Sequence, residues 1–268
     1  MIRLDESLKN YKKFAIAFSG GVDSTFLVAS AKKICGDEVV AITADSPFQS
    51  REELKKACEI AATIGIQHFV VKVDVLGVSD IITNSKKRCY FCKKKLFGVL
   101  KKRAMELGFN TLAHGVNMDD LKEYRPGLKA AQEMDIISPL VDAQLTKSQI
   151  RLASKNMGLS TWNIPSQSCL ATRIPYCEII TVEKLTRIEA CENFLNQLGF
   201  YGIRVRCHSI IADSNISGNC IARIECPIQS ISQMVNSNIR KKIISFFKAN
   251  GFQFVSIDLS GYIAGSIN

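Results

Sequence analysis

The chain has 268 residues, 47% hydrophobic and 22% charged, with 16 glycines and 6 prolines, which excludes a disordered, collagen-like or low-complexity protein. Its length predicts one large domain, or one of about 150 residues beside a smaller one. Lys and Arg outnumber Asp and Glu by 35 to 25, a net charge of +10, and nine of the bases lie between Lys86 and Arg103, a window without an acid. That window is either a solvated basic face or a surface for a phosphate-bearing partner. No run reaches the roughly 18 apolar residues of a membrane span, and the opening MIRLDESLKNYKK has no apolar signal core, so the expected location is the cytoplasm.

In chain order, the first half alternates strand-like runs (FAIAF 14–18, VVAIT 39–43, HFVVKV 68–73, TLAHG 111–115) with helix-like runs near 23–35, 50–64, 90–107 and 146–157. This alternation predicts an α/β fold, a doubly wound parallel sheet with helices on both faces and ligands at the carboxyl ends of its strands. The pattern breaks at TWNIPSQSCLATRIPYCEII, around 160–180, which predicts a domain junction. A helix over 182–198, strands GIRVRCH and CIARIE, a helix over 228–249 and a last strand FVSIDL then predict a smaller α+β unit. The expected domains are 1–165 and 166–268.

Ten cysteines in a chain without an export signal point to reduced thiols, metal ligands or sulfur chemistry rather than disulfides. Cys35, Cys58 and Cys191 lie in apolar helical patterns and are expected to pack as small hydrophobes. Cys89 and Cys92 form a C-x2-C pair in the basic run. A structural or redox role for that pair stands against a zinc site shared with Cys220 and Cys226.

Directly after the first strand comes Ser19-Gly20-Gly21-Val22-Asp23-Ser24-Thr25, then a helix. Two glycines allow a tight turn that brings backbone N–H groups to a ligand, and the helix start adds free amides and a positive dipole end, so an anion is expected there. Ser19, Ser24 and Thr25 supply hydroxyl donors, and the Lys of a Walker loop is missing. The SGGVDS string between strand and helix resembles the PP-loop of the N-type ATP pyrophosphatases. The resemblance implies that ATP is cleaved between its α and β phosphates, with AMP passed to a substrate oxygen and Asp23 helping to hold Mg²⁺ with the pyrophosphate. By position in the sheet, Ala17, Ser46 and Gly115 are expected to line the nucleotide, and Asp119 and Asp120 to assist metal or ribose binding or simply to start a helix.

Cys169-Leu170-Ala171-Thr172-Arg173-Ile174-Pro175-Tyr176 narrows the resemblance. With Arg88-Cys89-Tyr90-Phe91-Cys92-Lys93, Asn117-Met118-Asp119-Asp120, Tyr124-Arg125-Pro126-Gly127, Arg204-Val205-Arg206, Ala222-Arg223-Ile224-Glu225 and Asp258-Leu259-Ser260-Gly261-Tyr262, it resembles the LarE family of nickel-pincer nucleotide synthesis along nearly the whole chain. That likeness implies adenylation of pyridinium-3,5-biscarboxylic acid mononucleotide by MgATP and conversion of its carboxylates to thiocarboxylates, in a homo-oligomer working with other nickel-pincer synthesis proteins. In its simplest members the cysteine matching Cys169 gives up its own sulfur and becomes dehydroalanine. Here Cys177 stands where glycine is common and Cys207 follows the Arg204-Val205-Arg206 strand. This departure resembles the three-cysteine members, which implies that the sulfur comes from sulfide on a 4Fe–4S cluster held by Cys169, Cys177 and Cys207, with sacrifice of Cys169 as the alternative. Arg173, Arg204 and Arg206 are expected to grip the phosphate and carboxylates of the substrate, unless the alternating pair only marks an exposed strand face. A tRNA thiolation enzyme and a non-catalytic nucleotide or iron–sulfur sensor are the rival readings.

Overall fold

The computed structural model describes residues 2–122, 126–165, 168–210 and 220–263. In chain order these form α1 (Ile2–Tyr11), β1 (Phe14–Ala17), α2 (Val22–Cys35), β2 (Val39–Asp45), α3 (Arg51–Ile64), β3 (His68–Lys72), α4 (Ser79–Ile82), α5 (Arg88–Glu106), β4 (Leu112–His114), α6 (Pro126–Glu133), α7 (Pro139–Asp142), α8 (Lys147–Asn156), α9 (Val182–Gln197), β5 (Arg204–Ser209), β6 (Cys220–Glu225), α10 (Ile231–Met234), α11 (Ser237–Ala249) and β7 (Phe252–Ile257). Tyr124 and Arg125 of one expected motif lie outside the described residues. The chain divides into two compact units, Met1–Ile81 with Lys87–Ser168, and Cys169–Asn268 with the short stretch Ile82–Lys86.

The first unit carries a four-stranded sheet in the order β3-β2-β1-β4, all its pairings parallel. Strand alternation divides its core in two. Phe14 and Ile16 of β1 pack with Val39 and Ala41 under α1, α2, α3 and α8, whereas Ala15 packs with Val40 and Ile42 under α5 and α6. Side chains such as Phe14, Ile16 and Phe26 are fully buried, and each contributes about 1.5–3 kcal/mol. Two helix starts are fixed by reciprocal capping boxes, Ser50 with Glu53 on α3 and Thr146 with Gln149 on α8. The opening segment, read only as lacking a signal core, folds as α1, with Leu4 and Leu8 buried one turn apart.

The doubly wound α/β reading holds for this unit. From β1 the chain passes through α2 to β2 on one side, while β4 pairs with β1 on the other, so the switch point lies at the carboxyl ends of β1 and β4.

The second unit has a three-stranded mixed sheet, β5-β6-β7, with β5 antiparallel and β7 parallel to β6. The helix expected over 228–249 is broken into a 3-10 turn, α10 and α11. Asn236 causes the last break by accepting the N–H of Asn238 with its own side chain, a cap that competes with continuing the helix. Among the described residues no helix is long and apolar enough to cross a membrane.

Candidate active site

The glycine turn sits at the switch point. Gly20 has φ +74°, and a Cβ there would lie 3.1 Å from Cα of Ala57, so both backbone conformation and packing against α3 demand glycine. Gly21 precedes α2 with no side-chain cap, leaving the first-turn amides to a ligand. Ser19 Oγ and Ser24 Oγ are 3.1 Å apart, and the Thr25 hydroxyl is buried without a partner. Ala17 ends β1, in register with Ile42 and His114. The structure therefore brings Ala17, Ser19, Gly20, Gly21, Asp23, Ser24 and Thr25 into one strand–turn–helix, as read from the sequence.

Four more of the expected residues make contacts within the protein itself. The missing Cβ of Gly115 is filled by the protein itself: it would stand 2.8 Å from the Ser24 amide nitrogen, so glycine lets the loop after β4 abut the start of α2. Ser46 is buried after β2, and its carbonyl accepts Arg51 Nη2 and the Gln49 amide. Asp119 and Asp120 are used in loop building: Asp120 accepts the Asn117 N–H, and Asn117 Oδ1 accepts those of Asp119 and Asp120. Asp119 Oδ2 accepts the backbone N–H of Lys147 at 2.9 Å, which with Lys122 holds its carboxyl below the usual range.

Lys147 was missed by sequence reasoning. Fixed by Asp119 at the first turn of α8, it places its ammonium 2.5 Å from Asp23 Oδ2, while Asp23 Oδ1 is buried without a partner. The only local signal was a capped helix start, T-K-S-Q. The side-chain amide nitrogen of Asn117, a donor in the loop after β4, is also buried without a partner. His114 ends β4 with Nε2 on Ser138 at 2.8 Å, and burial, then Lys93, pushes its pKa down to about 3, so it is neutral.

In the second unit Cys169 is exposed and opens a 3-10 turn over Leu170–Arg173. Arg173, 4% exposed, forks onto both oxygens of Glu192 (2.9 and 3.1 Å) and reaches the Cys169 carbonyl with Nη1 at 3.0 Å. Glu192 also accepts the Val205 N–H. Arg206 joins the Thr172 carbonyl at 2.6 Å to Glu225 at 2.7 Å, and Glu225 in turn pairs with Arg223, which meets Asp258 and donates to His208. Arg204 lies over the Tyr262 ring, and burial, then the Arg173 charge, lowers its pKa. Arg206 is 4% exposed, so the pair does not simply mark an exposed face. The Nε atoms of Arg204 and Arg206 are buried and unpartnered.

The structure does not bring together the three proposed cluster ligands. Cys207 follows Arg206 on a strand, so the two point to opposite faces. Arg206 faces the Cys169 turn, whereas the buried Cys207 thiol is hydrogen-bonded to Cys220 on the neighbouring strand, and that bond, with burial, raises its pKa. Cys177 is exposed in a turn at φ +65°. Among the described residues no group of three or more His, Cys, Asp or Glu is arranged to hold a metal ion, so Cys169, Cys177 and Cys207 as placed do not fit a cluster, nor is the zinc alternative assembled. Cys191 is buried as expected, and Cys35 packs against the core of the first unit. Cys89 and Cys92 lie half-buried on α5, with Arg88 Nη2 3.7 Å from the Cys89 sulfur.

Residues 13–88 match the family of the queuosine biosynthesis protein QueC. Over 98% of its length the chain is 32% identical to the pyridinium-3,5-bisthiocarboxylic acid mononucleotide synthase of Lactiplantibacillus plantarum, covering 91% of that protein. It is 40% identical to an uncharacterized protein of Synechocystis sp., over 99% of this chain and 98% of the other. A more distant likeness, 24% over 55% of the chain, is to a glutamine-hydrolyzing GMP synthase of Archaeoglobus fulgidus, 51% of whose matched chain is covered. With a nearly full-length match to such a synthase and a strand, glycine turn and helix start at the switch point of its parallel sheet, the chain belongs to the LarE family of ATP-dependent sulfurtransferases, within the PP-loop ATP pyrophosphatases.

Proposed function

We propose that this chain uses ATP to adenylate the carboxylates of pyridinium-3,5-biscarboxylic acid mononucleotide and replaces carboxylate oxygen by sulfur, with Cys169 as the sulfur donor. The observation that carries the reading is the pair of buried, unpartnered guanidinium nitrogens, Nε of Arg204 and Nε of Arg206, on the face of β5 from which Arg206 reaches the Cys169 turn. A buried donor without an acceptor is costly, and an anionic substrate oxygen removes that cost.

The uncapped amides of α2, with the hydroxyls of Ser19, Ser24 and Thr25, bind the pyrophosphate that leaves when a substrate carboxylate attacks the α-phosphorus. Asp23 Oδ1, buried and unpartnered, fits Mg²⁺, which when bound neutralises pyrophosphate charge. Lys147 adds a positive charge at the same carboxylate. Adenylation turns a poor leaving group into AMP. The Cys169 thiolate then attacks the acyl carbon and AMP departs, forming a thioester. Loss of the Cys169 Cα proton to a base breaks the Cβ–S bond, its electron pair staying on sulfur, to give the thiocarboxylate and dehydroalanine at position 169. No step passes through a cluster, because Cys207 is turned to the other face of β5. The domains 1–165 and 166–268 are proposed to divide the work, adenylation in the first and sulfur transfer in the second.

The test is to incubate the protein with MgATP and the biscarboxylate nucleotide, measuring pyrophosphate, AMP and the mass of product and protein. The expected result is oxygen-to-sulfur exchange with loss of H₂S from Cys169, absent in Cys169→Ser. Pyrophosphate release independent of the nucleotide would refute the transferase. Anaerobic loading with iron and sulfide that succeeds in the wild type and fails in Cys207→Ala would refute the donor assignment.

A further inference from the structure

The loop carrying Cys169 and Cys177 is held at its backbone by side chains from several parts of the second unit. Arg173 takes the Cys169 carbonyl and Arg206 the Thr172 carbonyl. The third grip comes from Ile82–Lys86, a stretch lying in sequence between α4 and α5 of the first unit but clustering with the second. Asn84, fully buried there, donates from Nδ2 to the Ile174 carbonyl at 3.0 Å and the Pro175 carbonyl at 2.6 Å. Its own backbone carbonyl accepts the Cys177 N–H at 3.1 Å, and the Ile82 carbonyl accepts the Ile180 N–H at 2.9 Å.

We infer that Asn84 is a positioning residue for sulfur transfer, setting the course of the cysteine loop so that the Cys169 thiol meets the activated carboxylate. The inference rests on Cys169 being the sulfur donor. Asn84 has φ +53°, in the left-handed region that asparagine enters more readily than most residues. An amide also carries two N–H donors on one nitrogen, and here that nitrogen ties two successive carbonyls. Serine or aspartate at this place offers one donor or none. The Cys177 turn, itself left-handed at φ +65°, is paired to the same residue, so a single side chain and its backbone govern the loop from residue 174 to 177.

The test compares Asn84→Gly, which tolerates the same φ and removes only the amide, with Asn84→Asp, which keeps the shape and turns an acceptor toward the two carbonyls. The readout is thiocarboxylate formed per pyrophosphate released. Unfolded protein makes neither product, so the ratio is insensitive to the folded fraction. Both variants are expected to release pyrophosphate in the presence of the substrate nucleotide, with the ratio down by about 10- to 100-fold as the adenylate is lost to water, the scale of a small misplacement of a reacting group. A wild-type ratio in both variants, with Cys169→Ser showing none, overturns this inference alone. A wild-type ratio in Cys169→Ser overturns the donor assignment on which it rests.

Discussion

Replacing Glu192 by alanine leaves the Arg173 guanidinium buried without its counter-ion. The pair is 4% and 12% exposed at its two side chains, with both carboxylate oxygens engaged by Arg173 and one also accepting the Val205 N–H. Removing one partner of such a pair costs about 3–5 kcal/mol, against at most about 1 for an exposed pair. With a urea slope of about 1–3 kcal/mol/M, the unfolding midpoint of the second unit falls by about 1 M or more. Far-ultraviolet circular dichroism is the suitable probe, since the single tryptophan, Trp162, belongs to the first unit. The double variant Glu192→Leu, Arg173→Met removes both charges and is expected to recover all but about 1 kcal/mol. Its sulfur transfer is expected to be lost, because the arm on the Cys169 carbonyl has gone. A single variant as stable as wild type, or a double variant no more stable than the single, refutes the reading of this pair as a buried anchor.

Three further outcomes are expected. Lys147→Met lowers pyrophosphate release by about 100-fold with partial recovery in Lys147→Arg, the scale of losing one preorganised donor to a developing charge; unchanged release removes Lys147 from the phosphate site. Gly115→Ala drives a Cβ to 2.8 Å from the Ser24 nitrogen, displacing the start of α2; it destabilises by about 1–3 kcal/mol and raises KM for ATP, measured by melting and by pyrophosphate release. His114 is held neutral down to about pH 3 in the folded protein against an ordinary value of 6.5, so between these limits the unfolded chain binds the extra proton. Stability therefore falls as pH drops through that window, by up to about 1.4 kcal/mol per pH unit, and His114→Gln flattens the slope of urea stability against pH by up to one proton.

Much of the first unit was legible because its signals are local. Short apolar strand-like runs, glycines at the turns and a strand–SGGVDS–helix succession each span fewer than twenty residues, and the sheet follows from them. The parts that escaped are joined over long distances. Lys147 meets Asp23 across 124 positions, and Asn84 holds Ile174 across 90; neither side of either pair carries a pattern that names the other. The helix break at Asn236 could have been read, since an asparagine before Ser237-Asn238 is a familiar helix start.

The cluster ligands were a different matter, because the strand prediction already contained the objection. If GIRVRCH is a strand, Arg206 and Cys207 point to opposite faces, and a site cannot use both side chains unless the strand is twisted out of the sheet. The pairing of Arg206 with Arg223 and of Cys207 with Ala222 keeps that alternation intact. What lies on the Arg206 face is a run of charge, Arg204, Arg206 and Arg223 against Glu225 and Asp258, and it reaches the cysteine turn through a carbonyl rather than a sulfur. The arginines therefore do two jobs with different atoms. Nη1 and Nη2 of Arg206 hold the turn and the sheet, and in the proposed function the buried Nε edges of Arg204 and Arg206 take the anion. That division predicts that Arg206→Lys, with one ammonium in place of a fork, loses both the turn and the anion donor. Arg204 donates from Nη1 to the carbonyl of its neighbour Ile203 and not to the turn, so Arg204→Lys mainly raises KM for the nucleotide while leaving the Cys169 turn in place.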